Sequence, residues 1–204
     1  MMKTDELLAK YPVISDQVDK KELRVLLVEL EQQLRQGQIG AVVEFGCYAG
    51  TTSLFLRRLL NCYGVSPPFH VYDSFEGLPP KQWQDESRAG DQFVAGELSV
   101  GKKQFLRNFA KAGLVPPVVH KGWFSDLHDD DVPEGIHFAF LDGDYYGSIH
   151  DSLKLIEKKL APGAVVVVDD YANEALPGAA HAVDEWRAQQ PRSFRVQSSL
   201  AVLR

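Results

Sequence analysis

Leucines recur three or four positions apart at Leu23, Leu26, Leu27, Leu30 and Leu34, before Gly37. This spacing predicts an amphipathic helix with a glycine stop, laid by one face on a larger body. Further on, unbroken apolar runs alternate with helical periods. Strands are predicted over 39–45, 69–73, 117–122, 136–142 and 164–170, and helices over 51–63, 101–114, 148–163 (ending at Pro162-Gly163) and 179–190. Strands that are apolar throughout, each followed by a helix, fit a parallel sheet buried on both faces. The expected class is therefore α/β, a doubly wound and mostly parallel seven-stranded sheet. The runs SFRVQSS and SLAVLR have little between them and predict a closing antiparallel hairpin. Residues 1–38 are expected to form a helical segment packed on or capping the core, and 39–204 a single domain. The long irregular stretch from Ser74 to Val100 exceeds an ordinary connection and points to a functional loop.

Composition narrows the function. The 204 residues are 45% hydrophobic and 25% charged with a net charge of −6, which excludes a disordered or collagen-like chain. It also disfavours a general electrostatic grip on nucleic acid or on an anionic membrane. Cys47 and Cys62 have no CxxC or Cys/His spacing around them, so neither a disulfide framework nor a zinc site is indicated. The first residues lack the continuous apolar core of a signal peptide, and no segment reaches the length of a membrane span. The expectation is a soluble cytoplasmic protein.

In open α/β sheets ligands bind beyond the carboxyl ends of the strands. The first strand ends in Glu44-Phe45-Gly46 and runs through Cys47 to Gly50, a GxxxG turn distinct from the GxGxxG of dinucleotide enzymes. Glycines there let backbone approach a ligand, or serve the turn alone. The second strand ends in Asp73, placed either to accept from both hydroxyls of a ribose or to cap a turn. Together the two suggest a nucleoside-bearing cofactor, with Cys47 lining its pocket. Two later strands end in Asp142-Gly143-Asp144-Tyr145 and Asp169-Asp170-Tyr171, bringing four carboxylates to one rim. Unless they only cap the following helices, they would repel one another without protonation or a cation. All-oxygen ligation favours magnesium, with calcium or manganese as substitutes. Asp129, Asp130 and Asp131 follow no apolar run and read as a solvated loop. The six histidines form no HxH or HExxH pattern, and His150 and His181 read as surface or packing residues.

The segments VVEFGCYAGTTSLFL, VYDSFEGLPP, KGWFSDL, FAFLDGDYYGSIHDSLKLIEKKLAPGAVVVVDDY and AVDEW, covering roughly residues 40 to 187, resemble the macrocin O-methyltransferase (TylF-type) family. The resemblance implies a Rossmann-like class I methyltransferase that moves a methyl group from S-adenosylmethionine to a natural-product hydroxyl with magnesium. It implies that Glu44, Gly46 and the following turn with Tyr48 and Thr51 hold the methionine end of the cofactor. By the same resemblance Asp73 would take the ribose, flanked by Ser74 and Phe75, and Gly122, Trp123 and Phe124 would lie near the adenine. Asp142, which also borders the cofactor, would bind metal with Asp169 and Asp170, and Asp144 would be the general base. Two departures stand out. The N-terminal portion is short for the family, which bears on the lid and oligomer contacts, and Ser99-Val100-Gly101-Lys102-Lys103 replaces the family's acidic stretch.

The chemistry so implied is an in-line displacement on a sulfonium methyl, with the divalent ion lowering the acceptor pKa and Asp144 taking the proton. A rival from another class is a nucleotide-sugar glycosyltransferase, because Asp142-Gly143-Asp144 also satisfies the DxD pattern for a sugar diphosphate. The glycine turn and Asp73 have no role in it. A third reading is a non-catalytic cofactor-binding module. The expected partner is a small-molecule hydroxyl acceptor, a sugar or natural product, and the N-terminal helix offers a surface for a homodimer.

Overall fold

In a computed structural model, which describes residues 2–89, 92–190 and 192–204, the leucine stripe forms helix α2 (Lys20–Arg35). Asp19 is its N-cap, accepting from the backbone N–H groups of Lys21 and Glu22. All five leucines are buried. A short helix that no apolar stripe announces, α1 (Lys3–Lys10), precedes it. Its N-terminus has no cap of its own and takes one from α2. Glu31 accepts the N–H groups of Lys3 and Thr4, each at 2.9 Å, and the Tyr63 hydroxyl at 2.8 Å. Burial opposes the Glu31 charge, but these donors outweigh it and hold the carboxyl at about 2.

Strands β1 (Ala41–Phe45), β2 (Phe69–Asp73), β3 (Val118–Lys121), β4 (Ile136–Leu141), β5 (Leu160–Val168), β6 (Phe194–Gln197) and β7 (Leu200–Leu203) form one sheet in the order β3-β2-β1-β4-β5-β7-β6. The first five pair in parallel, and β7 runs antiparallel to both β5 and β6. Helices α3 (Thr51–Cys62), α4 (Lys102–Ala112), α5 (Tyr146–Ile156) and α6 (Pro177–Gln189) complete the fold.

Period-two alternation sorts the strand side chains between two layers. Val42, Val71, Phe138 and Val167 meet α1 to α4 on one face, whereas Val43, Tyr72, Ala139 and Val166 meet α5 and α6 on the other. Both faces are thereby covered, which explains why the central strands read as apolar throughout. Among the described residues no helix is long and apolar enough to cross a membrane.

The helix predicted over 148–163 is shorter than its pattern. It spans Tyr146–Ile156, a 3₁₀ turn follows over Glu157–Lys159, and β5 has begun before Pro162-Gly163 is reached. Pairing with β4 jumps from Ile136 opposite Leu160 to Phe138 opposite Val165. The surplus residues form a bulge, where Pro162 needs no N–H for the ladder and Gly163 takes a φ of 77°. Pro-Gly therefore marks a kink inside a strand here, not a helix end. Residues 90 and 91 of the predicted irregular segment lie outside the described residues.

Candidate active site

Two turns at the carboxyl ends of β1 and β2 are tied together by Asp73. Its Oδ2 accepts the backbone N–H groups of Cys47 and Tyr48, at 2.8 and 3.0 Å, and its Oδ1 accepts that of Phe75 at 2.7 Å. Gly46 has a φ of 84°, and a Cβ there would stand 1.8 Å from the carbonyl oxygen of Asp142. Only glycine lets the β1 turn pass so close to the end of β4. Tyr48 also takes a positive φ, 44°, a conformation this network holds in place. Gly122 donates to the Asp73 carbonyl at 3.0 Å, bringing the β3 turn with Trp123 and Phe124 alongside.

Glu44 is fully buried at the base of this cradle. The Ser53 hydroxyl donates to its Oε2 at 2.5 Å, while Oε1 has no protein partner. Burial raises its carboxyl to about 8, with Ser53 pulling the other way and Asp73 adding to the rise. Burial, then Asp73 and Glu44, also raise the Cys47 thiol, which suits a packing residue and not a nucleophile.

The four predicted aspartates do converge. Asp142 N–H donates to the Phe45 carbonyl and Asp169 N–H to the Leu141 carbonyl, so the ladder sets the ends of β1, β4 and β5 side by side. Burial raises all four carboxyls above the usual range, Asp169 to about 8, with neighbouring aspartates adding to the rise at Asp142, Asp144 and Asp169, and Glu22 at Asp170. Asp144 and Asp170 stand at φ of 60° and 57°. Among the described residues no three His, Cys, Asp or Glu side chains are gathered as a ready metal site. The aspartates' donors are nevertheless all oxygen, and among the described residues no Lys, Arg or His borders the same cavity, the chemistry that suits a hard cation.

These elements enclose a cavity of about 670 Å³, within the usual range for a small-molecule site. Glu44, Gly46, Tyr48, Thr51, Asp73, Ser74, Gly122, Trp123, Phe124, Asp142, Asp144, Asp169 and Asp170 all border it. Phe75 stands apart, its ring packed on Phe105 in the core, outside the cavity wall. The 129–131 acids form a turn away from the cavity, exposed at Asp129 and Asp130, with the half-buried Asp131 closing back on the His128 backbone.

Several cavity residues have no local signature. Asp16, Asp19 and Glu22, from the approach to α2 and its first turn, form one wall, and Glu174 lies beyond β5. Ser199, in the β6–β7 turn, donates to Glu22 at 2.5 Å and lies 3.3 Å from Asp169. Asn173 donates to Asp170 at 2.8 Å. The irregular segment supplies an apolar roof: Leu78, Phe93 and Leu98 pack with Leu176 and Tyr145. It is anchored by buried Asp85, which accepts the N–H of Tyr146 at the start of α5 at 2.7 Å, and by Tyr145, whose hydroxyl donates to the Phe93 carbonyl. The whole lining holds ten carboxylates and, among the described residues, no Lys, Arg or His.

A 3-2-1-4-5-7-6 sheet with a glycine turn after β1 and an acid ending β2 defines the Rossmann-like fold of class I methyltransferases. Within that class the chain belongs to the macrocin-O-methyltransferase (TylF) family, whose model matches residues 11–197. It is 34% identical over 172 residues to the 8-demethyl-8-(2,3-dimethoxy-alpha-L-rhamnosyl)-tetracenomycin-C 4'-O-methyltransferase of Streptomyces olivaceus, covering 80% of this chain and 65% of that protein. It is 31% identical over 186 residues to the mycinamicin III 3''-O-methyltransferase of Micromonospora griseorubida, covering 87% of this chain and 72% of the relative. The structure of the O-methyltransferase NovP superposes with a TM-score of 0.80 at 25% identity, over 92% of this chain and 80% of that one. The chain thus spans about two-thirds of the length of these curated relatives.

Proposed function

We propose that this protein transfers a methyl group from S-adenosylmethionine to a hydroxyl of a sugar or other natural product, with a divalent cation, magnesium first, as its metal. The observation that carries this reading is a single cavity joining the Gly46 turn, Asp73 and the acids ending β4 and β5. The named activities of the relatives support it. The cavity's lining supports it as well: among the described residues no Lys, Arg or His borders it to repel a sulfonium or an ammonium group, and the buried Oε1 of Glu44 has no protein partner. The unpaired Cys47 and Cys62 suit a reducing cytoplasm.

S-adenosylmethionine would supply an electrophilic methyl group, and Asp142, Asp169 and Asp170 would hold a divalent cation, which would supply positive charge to the acceptor hydroxyl. The chain's own residues do the rest. Asp144 accepts the hydroxyl proton at its carboxylate, and a carboxyl raised by burial is a stronger base near neutral pH than an exposed one. The Asp73 hydrogen bonds hold the cofactor turns in place before binding, so less ordering is left to the moment of reaction. Leu78, Phe93, Leu98 and Leu176 keep the acceptor side of the cavity dry.

Calorimetric titration with S-adenosylmethionine and S-adenosylhomocysteine, with magnesium and then with chelator, tests the proposal. Binding at about micromolar strength, tightened by magnesium, is expected. No binding under either condition overturns the cofactor assignment, and binding indifferent to both magnesium and chelator removes the metal from the reading.

A further inference from the structure

The turn that follows β4 is held by contacts that neither its strand nor its helix supplies. The Tyr145 N–H donates to the Gly143 carbonyl at 2.6 Å across Asp144, whose φ is 60°. This is a γ-turn of the rare, strained hand, centred on Asp144. On its upstream side the Asp142 N–H is fixed by the Phe45 carbonyl, and Gly143 leaves no room for a side chain, since a Cβ there would stand 2.7 Å from that of Ser148. On the downstream side both holds come from the roof. The buried Tyr145 sends its hydroxyl to the Phe93 carbonyl at 2.7 Å, and Oδ1 of the buried Asp85 accepts the N–H of Tyr146, also at 2.7 Å. Tyr145 is the N-cap of α5 yet makes no side-chain cap, so Asp85 supplies one from 61 residues away. Gly178 of α6 makes room for it: a Cβ there would stand 1.9 Å from Asp85 Oδ1.

A roof that only enclosed the cavity would need neither hold. Its neck is closed by its own backbone, Leu78 N–H to the Glu97 carbonyl and Gly96 N–H to the Leu78 carbonyl, each at 2.9 Å. Leu78, Phe93 and Leu98 keep it in place by apolar packing on Leu176 and the Tyr145 ring. Another tether, the Ser87 hydroxyl to the Glu174 carbonyl at 2.6 Å, does not reach the turn. The other two end on the two residues directly after Asp144. We propose that Tyr145 and Asp85 are positioning residues, which hold the Asp144 carboxylate in its reacting place by pinning the strained turn to the roof. Neither side chain borders the cavity, so each acts through Asp144. This rests on the reading of Asp144 as the base and deepens it. An unpinned turn relaxes toward an ordinary φ, and a reacting group misplaced by about 1 Å costs on the order of 100-fold in rate.

The test uses the full chain, isotope-labelled, with S-adenosylhomocysteine added, and reads the turn from the NMR signals of the Asp144 Cα and Cβ. Tyr145→Phe deletes one hydroxyl and keeps the ring. It is expected to move the Asp144 signals toward those of a negative φ, with the Asp169 and Asp170 signals and the S-adenosylhomocysteine affinity unchanged. Asp85→Ala is expected to move the same Asp144 signals, and Asp85→Asn, which keeps an acceptor for Tyr146, to restore them. Ser87→Ala frees the roof at the tether that does not reach the turn and is expected to leave them in place. With labelled S-adenosylmethionine and p-nitrophenyl rhamnoside as the acceptor probe, Tyr145→Phe is expected to lower kcat by about 10-fold or more at unchanged KM. Asp144 signals unmoved in both Tyr145→Phe and Asp85→Ala overturn the proposal, and Tyr145→Phe decides alone if Asp85→Ala does not fold. An equal shift in Ser87→Ala also overturns it, as the mark of a roof loosened throughout. So does a raised KM at unchanged kcat, because the roof would then only enclose the acceptor. If Asp144→Asn keeps its turnover, or S-adenosylhomocysteine does not bind, it is the functional reading that falls, and the NMR comparison still decides whether the two residues hold the turn.

Discussion

Glu31→Gln is the perturbation whose size the structure fixes best. The carboxylate is closed off from water, beside the half-exposed Arg35, and receives the first two N–H groups of α1 and the Tyr63 hydroxyl. Its folded pKa of about 2, against 4.5 unperturbed, corresponds to about 3 kcal/mol of stabilisation above the unfolded value. Because Glu31 lies only one side chain below the surface and glutamine keeps one acceptor, the expected loss is about 2 kcal/mol. That lowers Tm by roughly 4–8 °C for a chain of this size. The folded pKa is depressed, so the stabilisation is present above pH 4.5 and disappears as pH falls through 2. The stability gap between wild type and variant should be level from pH 7 to about 5 and close below that. Urea denaturation at a series of pH values measures it. The functional consequence follows from the chain path: the residues linking α1 to α2 form the acidic wall of the cavity. Loosening α1 is expected to raise the acceptor KM several-fold and leave S-adenosylhomocysteine affinity unchanged. A gap under about 0.5 kcal/mol at pH 7, or one that widens on acidification, refutes the capping argument.

Gly46→Ala places a Cβ on the Asp142 carbonyl at a positive φ, so a loss of about 3 kcal/mol or more and of cofactor binding is expected by thermal denaturation and calorimetry. Asp85→Ala leaves the buried N–H of Tyr146 without its acceptor, costing about 2 kcal/mol and speeding hydrogen exchange in residues 82–89. Asp144→Asn is expected to keep S-adenosylhomocysteine affinity and lower kcat by about 100-fold or more; near-native turnover removes it as the base. Asp73→Asn sets an amide against one of three backbone N–H donors. It should destabilise the ligand-free protein by about 1–3 kcal/mol, whereas a residue serving ribose alone would leave that stability untouched.

The fold was readable where one physical rule acts alone. Val165 to Val168 can only be a strand buried on both faces, and Leu23 to Leu34 can only be a one-sided helix. Reading fails where two rules compete. Lys154 to Lys159 continues the helical pattern of α5, and Pro162-Gly163 looks like its stop. Pairing with β4 nevertheless captures the chain from Leu160 onward, because a ladder between two central strands outweighs helix propensity in lysine-rich residues. Helix α1 is invisible for a related reason: a short helix is marginal in isolation, and its cap is a side chain 27 residues away.

The site divides the same way, and the division has a chemical meaning. Glu44, Asp73, Asp142 and Asp169 could be named because each ends or follows a strand, and parallel topology brings such ends to one rim. Glu22, Ser199, Asp85 and Asp16 could not, since each arrives from a turn or helix end whose place depends on tertiary packing. The first set surrounds the expected cofactor and proton transfer, which vary little with the molecule being methylated. The second set builds the wall, roof and rim on the acceptor side, and nothing in a strand-end rule constrains it. Under the proposed function, acceptor choice would rest on long-range partnerships such as Ser199 with Glu22, 177 residues apart. Altering that wall should change which hydroxyl is methylated before it changes whether the cofactor binds.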